Sequence, residues 1–272
     1  MSAIDDLIAI MAQLRDPVGG CPWDLQQTFA SIVPHTLEEA YEVADAIERD
    51  DREDMRDELG DLLFQVIFYA RLGEEEGSFD FDAIAATVRD KLIRRHPHVF
   101  GTAGPTTAEE QRVSWEAIKA SERVARGSKA DRPGALDDVP LALPALTRSR
   151  KLQGRAARVG FEWPDARQVI DKVREELDEL DEALAGEPRD AAHVAEEVGD
   201  LLLACVNLAR QAGVDAEQAL RAGNRKFEKR FKGLESVLAE SGEVPEDASF
   251  ERLEAAYQTA KAREGEEPMG RP

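Results

Sequence analysis

Apolar residues recur along this chain at helical spacing. Ile4, Leu7, Ile8, Met11 and Leu14 fall at i, i+3, i+4, i+7 and i+10, so they line one face of a helix. Runs that alternate apolar with polar, the mark of a half-buried strand, are almost absent. Thr36-Leu37-Glu38-Glu39 has the form of a capping box and predicts the start of a second helix. A third is predicted from about Glu53 to Gly77, and a fourth from about Asp80 to Arg95, where His96-Pro97 disfavours further helix. Thr107-Ala108-Glu109-Glu110 predicts a fifth, carrying Trp115 and Lys119. The expected fold class is all-α.

From Gly127 to Pro144 the helical pattern gives way to Gly127-Ser128, Pro133-Gly134, Pro140 and Pro144, the texture of a linker, and then restarts. The second half of the chain repeats the first. Trp23-Asp24 corresponds to Trp163-Pro164-Asp165, Glu38-Glu39-Ala40-Tyr41-Glu42 to Glu175-Glu176-Leu177-Asp178-Glu179, and Glu58-Leu59-Gly60-Asp61 to Glu197-Val198-Gly199-Asp200. Further on, Lys91 and Arg95 match Lys226 and Arg230, and Trp115 matches Tyr257. The expected organisation is a helical module over 1–126, a linker over 127–144, a second copy over 145–264 and a disordered tail over 265–272.

Composition narrows the partners. With 35 Lys plus Arg against 56 Asp plus Glu the formal charge is −21, which argues against duplex nucleic acid or an anionic membrane surface, since both need a basic footprint. An anionic substrate would need a bridging metal. Met1 to Gly20 carries Asp5, Asp6, Arg15 and Asp16 where a signal peptide would be apolar, so the cytosol is the expected compartment, and two cysteines make no disulfide framework. The longest nearly apolar stretches, Leu62 to Ala70 and Leu201 to Ala209, fall far short of the ~20 residues a membrane span needs.

The helix holding Glu58, Asp61 and Gln65 is apolar on nearly every other side, through Leu59, Leu62, Leu63, Phe64, Val66, Ile67 and Phe68. Carboxylates on a buried helix cost several kcal/mol each when unpaired, so the stripe implies a cation. The second copy repeats it with Glu197, Asp200 and Asn207. The preceding helix supplies Glu39 and Glu42 in one copy and Glu176 and Glu179 in the other, each pair sharing a face. Two antiparallel helices with E-x-x-E opposite E-x-x-D make an all-oxygen cage suited to Mg²⁺ or Mn²⁺. Glu39 also fits a plain capping partner of Thr36. Lys226 with Arg230, and Lys91 with Arg95, read either as exposed pairs bonded to carboxylates or as phosphate contacts, and Trp115 and Tyr257 as base-stacking or core aromatics. Gly60 and Gly199 sit mid-helix, which is tolerable where a neighbouring backbone or ligand comes close.

The paired E-E-x-x-E and E-x-G-D-L-L motifs, with G-C-P-W-D at Gly20 to Asp24 and R-R-H-P-H-V-F at Arg94 to Phe100, resemble the MazG family of the all-α NTP pyrophosphatase superfamily over about residues 1–264. The resemblance implies Mg²⁺-dependent hydrolysis of nucleoside triphosphates to monophosphate and pyrophosphate. It also implies a homodimer whose modules pair into units like four-helix bundles. By position, Glu176, Glu179, Glu197 and Asp200 become metal ligands, with Glu39, Glu42, Glu58 and Asp61 as their counterparts. Lys172 and Glu175 line the entrance, Lys226 and Arg230 hold phosphates, and Tyr257 contacts the base at a position that is often Trp in the family. Glu175 is the first choice as general base.

Spacing alone would allow attack at either the α- or the γ-phosphorus. A helical interaction module with a purely structural Mg²⁺, or a nucleotide-binding regulator, is the alternative function. Of the two copies the second is the better equipped. It has Lys172 where the first has His35, and Asn207, able to bond a sugar or base, where the first has Phe68.

Overall fold

The computed structural model describes residues 2–101, Thr107, Gln111, Ile118, Glu122 and residues 134–266. Every regular element among them is helical, so the fold is all-α as the periodicity predicts. The chain divides into two compact units, Met1–Gly127 and Ser128–Pro272. The predicted fifth helix, with Trp115 and Lys119, lies outside the described residues apart from those single positions.

In the first unit α1 (Ala3–Leu14) opens on a capping box between Ser2 and Asp5. A short α2 (Pro22–Gln26) leads into α3 (Phe29–Glu48), α4 (Arg52–Glu76), α5 (Phe81–Arg95) and a one-turn α6 (Pro97–Phe100). The second helix therefore begins earlier than Thr36 suggests. Thr28 and Ser31 form its capping box, and Pro34 is accommodated near its start. Inside the helix, the Thr36 hydroxyl lies 2.9 Å from the Tyr69 hydroxyl of α4 and so ties the two long helices together. This removes the capping reading of Glu39. Asp51 caps α4, and Gly77 ends it with φ of 71°, a conformation that favours glycine.

Met11, Ile32, Ile67, Phe68 and Leu72 form the core between α1, α3 and the C-terminal half of α4. The N-terminal half of α4 differs from expectation. Leu59 there is 46% exposed, so the acid-bearing half of the helix is not buried within one chain. Arg15 braces the other end. Its guanidinium lies over the Phe68 ring at 5.4 Å, donates to the Asp24 and Gln27 carbonyls, and pairs with Glu75 at 2.6 Å.

The second unit comprises α7 (Ala145–Arg158), α8 (Ala166–Ala185), α9 (Ala191–Gln211), α10 (Ala216–Ala239), a 3₁₀ turn at Pro245–Asp247 and α11 (Phe250–Glu266). Asp165, Asp190 and Asp215 cap α8, α9 and α10 through their side chains. Leu234, Val237 and Leu238 of α10 pack on Ala256 of α11, with Leu253 and Tyr257 at the edge. A Cβ at Gly233 would sit 2.9 Å from that of Ala260, so glycine is what lets α10 and α11 approach. The final helix runs through Glu266, two residues into the stretch expected to be a tail; the remainder of that stretch lies outside the described residues.

Candidate active site

Each unit carries its acids on a helical hairpin, α3 with α4 in the first and α8 with α9 in the second. A three-residue turn after Glu48 and a five-residue loop after Ala185 fold each pair back antiparallel. That folding sets E-x-x-E on one helix facing the acids at the start of the next.

In the first unit the structure gathers Glu39, Glu58 and Asp61, with one carboxylate oxygen from each within 4.8 Å of the others. Glu42 stands beside them, close enough to add to the crowding at Glu39. Burial, then the charges of Asp61, Glu42 and Glu58, push the Glu39 carboxyl above its ordinary range. Glu58 is raised likewise, by desolvation first and then by Glu42. In the second unit the gathered trio is Glu176, Glu179 and Glu197. Glu176 is 5% exposed, and desolvation raises the Glu179 carboxyl. Asp200, one turn beyond Glu197, is exposed and lies outside the trio.

Lys172 is the cation inside the second cluster, with Nζ 2.7 Å from Glu175 and 2.8 Å from Glu176. Those two carboxylates raise its pKa. His193 Nδ1 stands 3.4 Å from Glu197, a neighbour that sequence reasoning missed although the two lie one turn apart on α9. In the first unit the corresponding place has His35, 3.8 Å from Glu38. Carboxylate oxygens crowded enough to raise one another's pKa are a donor set that fits a hard divalent cation.

The basic residues are divided. Arg230 Nε donates to Glu264 Oε2 at 2.8 Å and its guanidinium is hydrogen-bonded to Tyr257, while Arg95 is paired with Glu122 at 2.5 Å. Hydrogen bonds from Arg95 and Arg94 hold the Glu122 carboxyl down at about 2. Lys226 is exposed and Lys91 half-buried, and neither forms an ion pair among the described residues. Tyr257 packs at the edge of the α10–α11 core, with the Phe227 ring 6.3 Å away. Asn207 accepts from Arg210 Nη2 at 2.8 Å. Trp115 lies outside the described residues.

No backbone of the same chain among the described residues comes close to the mid-helix glycines, for a Cβ on Gly60 or Gly199 meets nothing within 4 Å. His96 ends α5, as the sequence predicts. No helix among the described residues is long and apolar enough to cross a membrane.

The MazG nucleotide pyrophosphohydrolase domain model matches residues 27–100 and 166–234, segments that contain both acidic clusters and both Lys/Arg pairs. The nucleoside triphosphate pyrophosphohydrolase of Escherichia coli (strain K12) is 50% identical over 264 residues, covering 97% of this chain and 99% of that protein. The nucleoside triphosphate pyrophosphohydrolase/pyrophosphatase MazG of Thermotoga maritima is 42% identical over 257 residues, 94% of this chain and 95% of that one. Uncharacterized protein YabN of Bacillus subtilis is 38% identical over 256 residues, 94% of this chain and 51% of its own length.

Proposed function

The chain belongs to the MazG nucleotide pyrophosphohydrolase family, and from that premise we propose that it hydrolyses nucleoside triphosphates to the monophosphate and pyrophosphate, with broad base tolerance and a role in clearing or balancing nucleotide pools. The observation that carries this reading is the recurrence, on one helical hairpin in each unit, of three carboxylates with oxygens within 4.8 Å. Release of pyrophosphate, which fits the relatives' names, requires cleavage of the α–β phosphoanhydride, and the proposal places the attacking water at the α-phosphorus with pyrophosphate as the leaving group.

In the second unit Glu176, Glu179, Glu197 and Asp200 would hold Mg²⁺, or Mn²⁺ in its place. The bound ion supplies charge neutralisation and a lowered water pKa, on the order of a hundredfold in rate or more. Glu39, Glu42, Glu58 and Asp61 are the equivalent set in the first unit. The exposed Glu175, held by Lys172, accepts the proton of the attacking water. Lys226 and Arg230 meet the charge that develops on the leaving pyrophosphate, with Lys91 and Arg95 as counterparts. For Arg230 this means exchanging Glu264 for phosphate oxygen. Tyr257, at the hydroxyl of which the same arginine bonds, lies at the nucleoside end, as Trp115 would in the first unit.

A homodimer is part of the proposal. Leu59 beside one cluster and Leu202, 52% exposed, beside the other are apolar positions that a second chain would cover. Product analysis with each NTP, in Mg²⁺ and in EDTA, tests the function. Pyrophosphate and monophosphate in Mg²⁺ alone is the expected result; orthophosphate release, or full turnover in EDTA, would overturn it.

A further inference from the structure

Gln65 stands on the polar stripe of α4 with Glu58 and Asp61, yet takes no part in the carboxylate trio. The residue is 6% exposed, and its carbonyl oxygen Oε1 is buried with no hydrogen-bond partner among the described residues. Buried side-chain oxygens are as a rule paired, because one without a donor gives up its hydration for nothing in return. An aliphatic side chain would cost less among Ile67, Phe68 and their core neighbours. Gln65 therefore calls for a donor.

Two contacts across the α3–α4 hairpin bracket it. Thr36 meets Tyr69 at one level, the hydroxyls 2.9 Å apart, and Glu39 meets Asp61 at another, with carboxylate oxygens within 4.8 Å. Gln65 lies between Asp61 and Tyr69 on α4, about one turn from each. On the Tyr69 side the protons are spent. Thr36 Oγ1 donates to the Ile32 carbonyl at 3.2 Å, so the bond between the two hydroxyls takes the Tyr69 proton. On the other side stand Glu39, Glu58 and Asp61, whose ionised oxygens only accept. A helical side chain leans toward the N-terminus and covers the turn before its own, which directs the Gln65 amide to the level of Asp61.

An acceptor that faces a ring of acceptors is matched by a donor that a cation brings with it. A water on a hard divalent ion gives its lone pair to the metal and turns both protons outward, and Mg²⁺ in particular keeps several such waters.

We propose that Gln65 is a positioning residue for a cation site in the first unit, its Oε1 accepting a hydrogen bond from a water carried by a divalent cation at Glu39, Glu58 and Asp61. The inference rests on the cation reading of that cluster and is independent of turnover. It also separates the two units. Ala204 stands at the place of Gln65, at the same spacing from Asp200, so the second cluster has a methyl where the first has an acceptor.

Mn²⁺ alone, without nucleotide, is the probe. The full chain carries Glu179→Gln and Glu197→Gln to silence the second cluster, and electron paramagnetic resonance reads bound against free Mn²⁺. This parent should bind Mn²⁺ at the first cluster, and Asp61→Asn should abolish the binding. Gln65→Met, of nearly the same shape but with no strong acceptor, should weaken Mn²⁺ binding by about tenfold, as loss of a partner outside the ligand shell does. The same change should raise the thermal midpoint of the metal-free protein by a few degrees, since the orphaned acceptor is gone. Gln65→Glu, which keeps an acceptor, should hold Mn²⁺ at least as tightly as the parent. An amide with a merely structural role would move the midpoint and leave Mn²⁺ affinity alone. Circular dichroism checks the fold of each variant, and Gln65→Leu replaces Gln65→Met should that one fail to fold. Unchanged Mn²⁺ affinity in the apolar variant, or equal weakening in Gln65→Glu, overturns the role of Gln65 while leaving the cation site standing. A parent that binds no Mn²⁺, or binding that survives Asp61→Asn, overturns the cation site and the role of Gln65 together. A wild-type protein that binds Mn²⁺ in this way yet releases no pyrophosphate from any NTP overturns the hydrolysis reading alone.

Discussion

Glu264 holds Arg230, its Oε2 2.8 Å from the guanidinium Nε, and Glu122 holds Arg95 in the same way in the other copy of the repeat. A carboxylate thus sits on each arginine assigned to phosphate. It keeps the guanidinium ordered before substrate binds, and it must leave when phosphate oxygens arrive.

The carboxylate is therefore a competitor of the substrate. Glu264→Gln should lower KM for NTP severalfold with kcat little changed, since the competing charge is removed from the free enzyme and not from the transition state. Arg230→Ala should raise KM and reduce kcat together. Steady-state kinetics on the two variants checks this, and a raised KM in Glu264→Gln would make Glu264 an orienting partner instead.

A second prediction concerns acid stability. Hydrogen bonds from Arg15 hold the Glu75 carboxyl below its ordinary value of 4.5, with Arg71 adding to the effect. A depressed folded-state pKa gives stability that is fully present above the unfolded value and is lost as pH falls through the folded one. The chain should therefore lose stability below about pH 4.5. Glu75→Gln should cost about 1–3 kcal/mol at pH 7, because it leaves a nearly buried guanidinium under-paired, and should flatten the acid limb. Denaturant titrations from pH 3 to 7 measure both.

Helix content, the repeat and the acid-bearing hairpins were legible because each rests on local spacing, which sequence displays directly. What was not legible depended on the opposing element. Thr36 has the form of a cap, but its hydroxyl meets Tyr69 across the hairpin, and the helix starts at Phe29 instead. The periodicity around Glu58 reads as burial on all sides, whereas within one chain Leu59 stays half-exposed, since periodicity records that a face is apolar and not which molecule buries it. The composition of each acid trio was also hidden. Glu42 and Glu179 hold equivalent positions, yet Glu179 joins its trio and Glu42 does not, a difference that spacing along the helix does not display.

Metal binding should be visible without turnover. Burial first and neighbouring carboxylates second raise the pKa values of Glu39 and Glu58 in the first cluster and Glu179 in the second, so the folded protein without a cation is increasingly disfavoured as pH rises above the ordinary carboxylate value. Mg²⁺ should raise the thermal midpoint at pH 7 and raise it less at pH 5, where partial protonation has already relieved the repulsion. At a concentration a hundred times its Kd the ion should stabilise by about 2.7 kcal/mol. Differential scanning fluorimetry in Mg²⁺ and in EDTA at the two pH values reads it, and identical midpoints would argue against a cation at these carboxylates.

The two units should also differ in output. Both hold three gathered carboxylates and a Lys/Arg pair, so the acids alone do not assign the work. The second unit has Lys172 against Glu175 and Glu176, a cation that orders the entrance, where the first has His35 3.8 Å from Glu38. It also has Asn207 at the border of a cavity of about 300 Å³, where the first has Phe68 buried under the Arg15 guanidinium. Asp200→Ala and Glu197→Ala should each abolish most NTP hydrolysis while the helices persist, because removing a charge from a repelling cluster does not unfold it. Asp61→Ala should leave most of the activity intact. Parallel assays of Asp61→Ala and Asp200→Ala across the common NTPs decide the matter. Equal losses would mean two working sites, and a larger loss from Asp61→Ala would place the chemistry in the first unit.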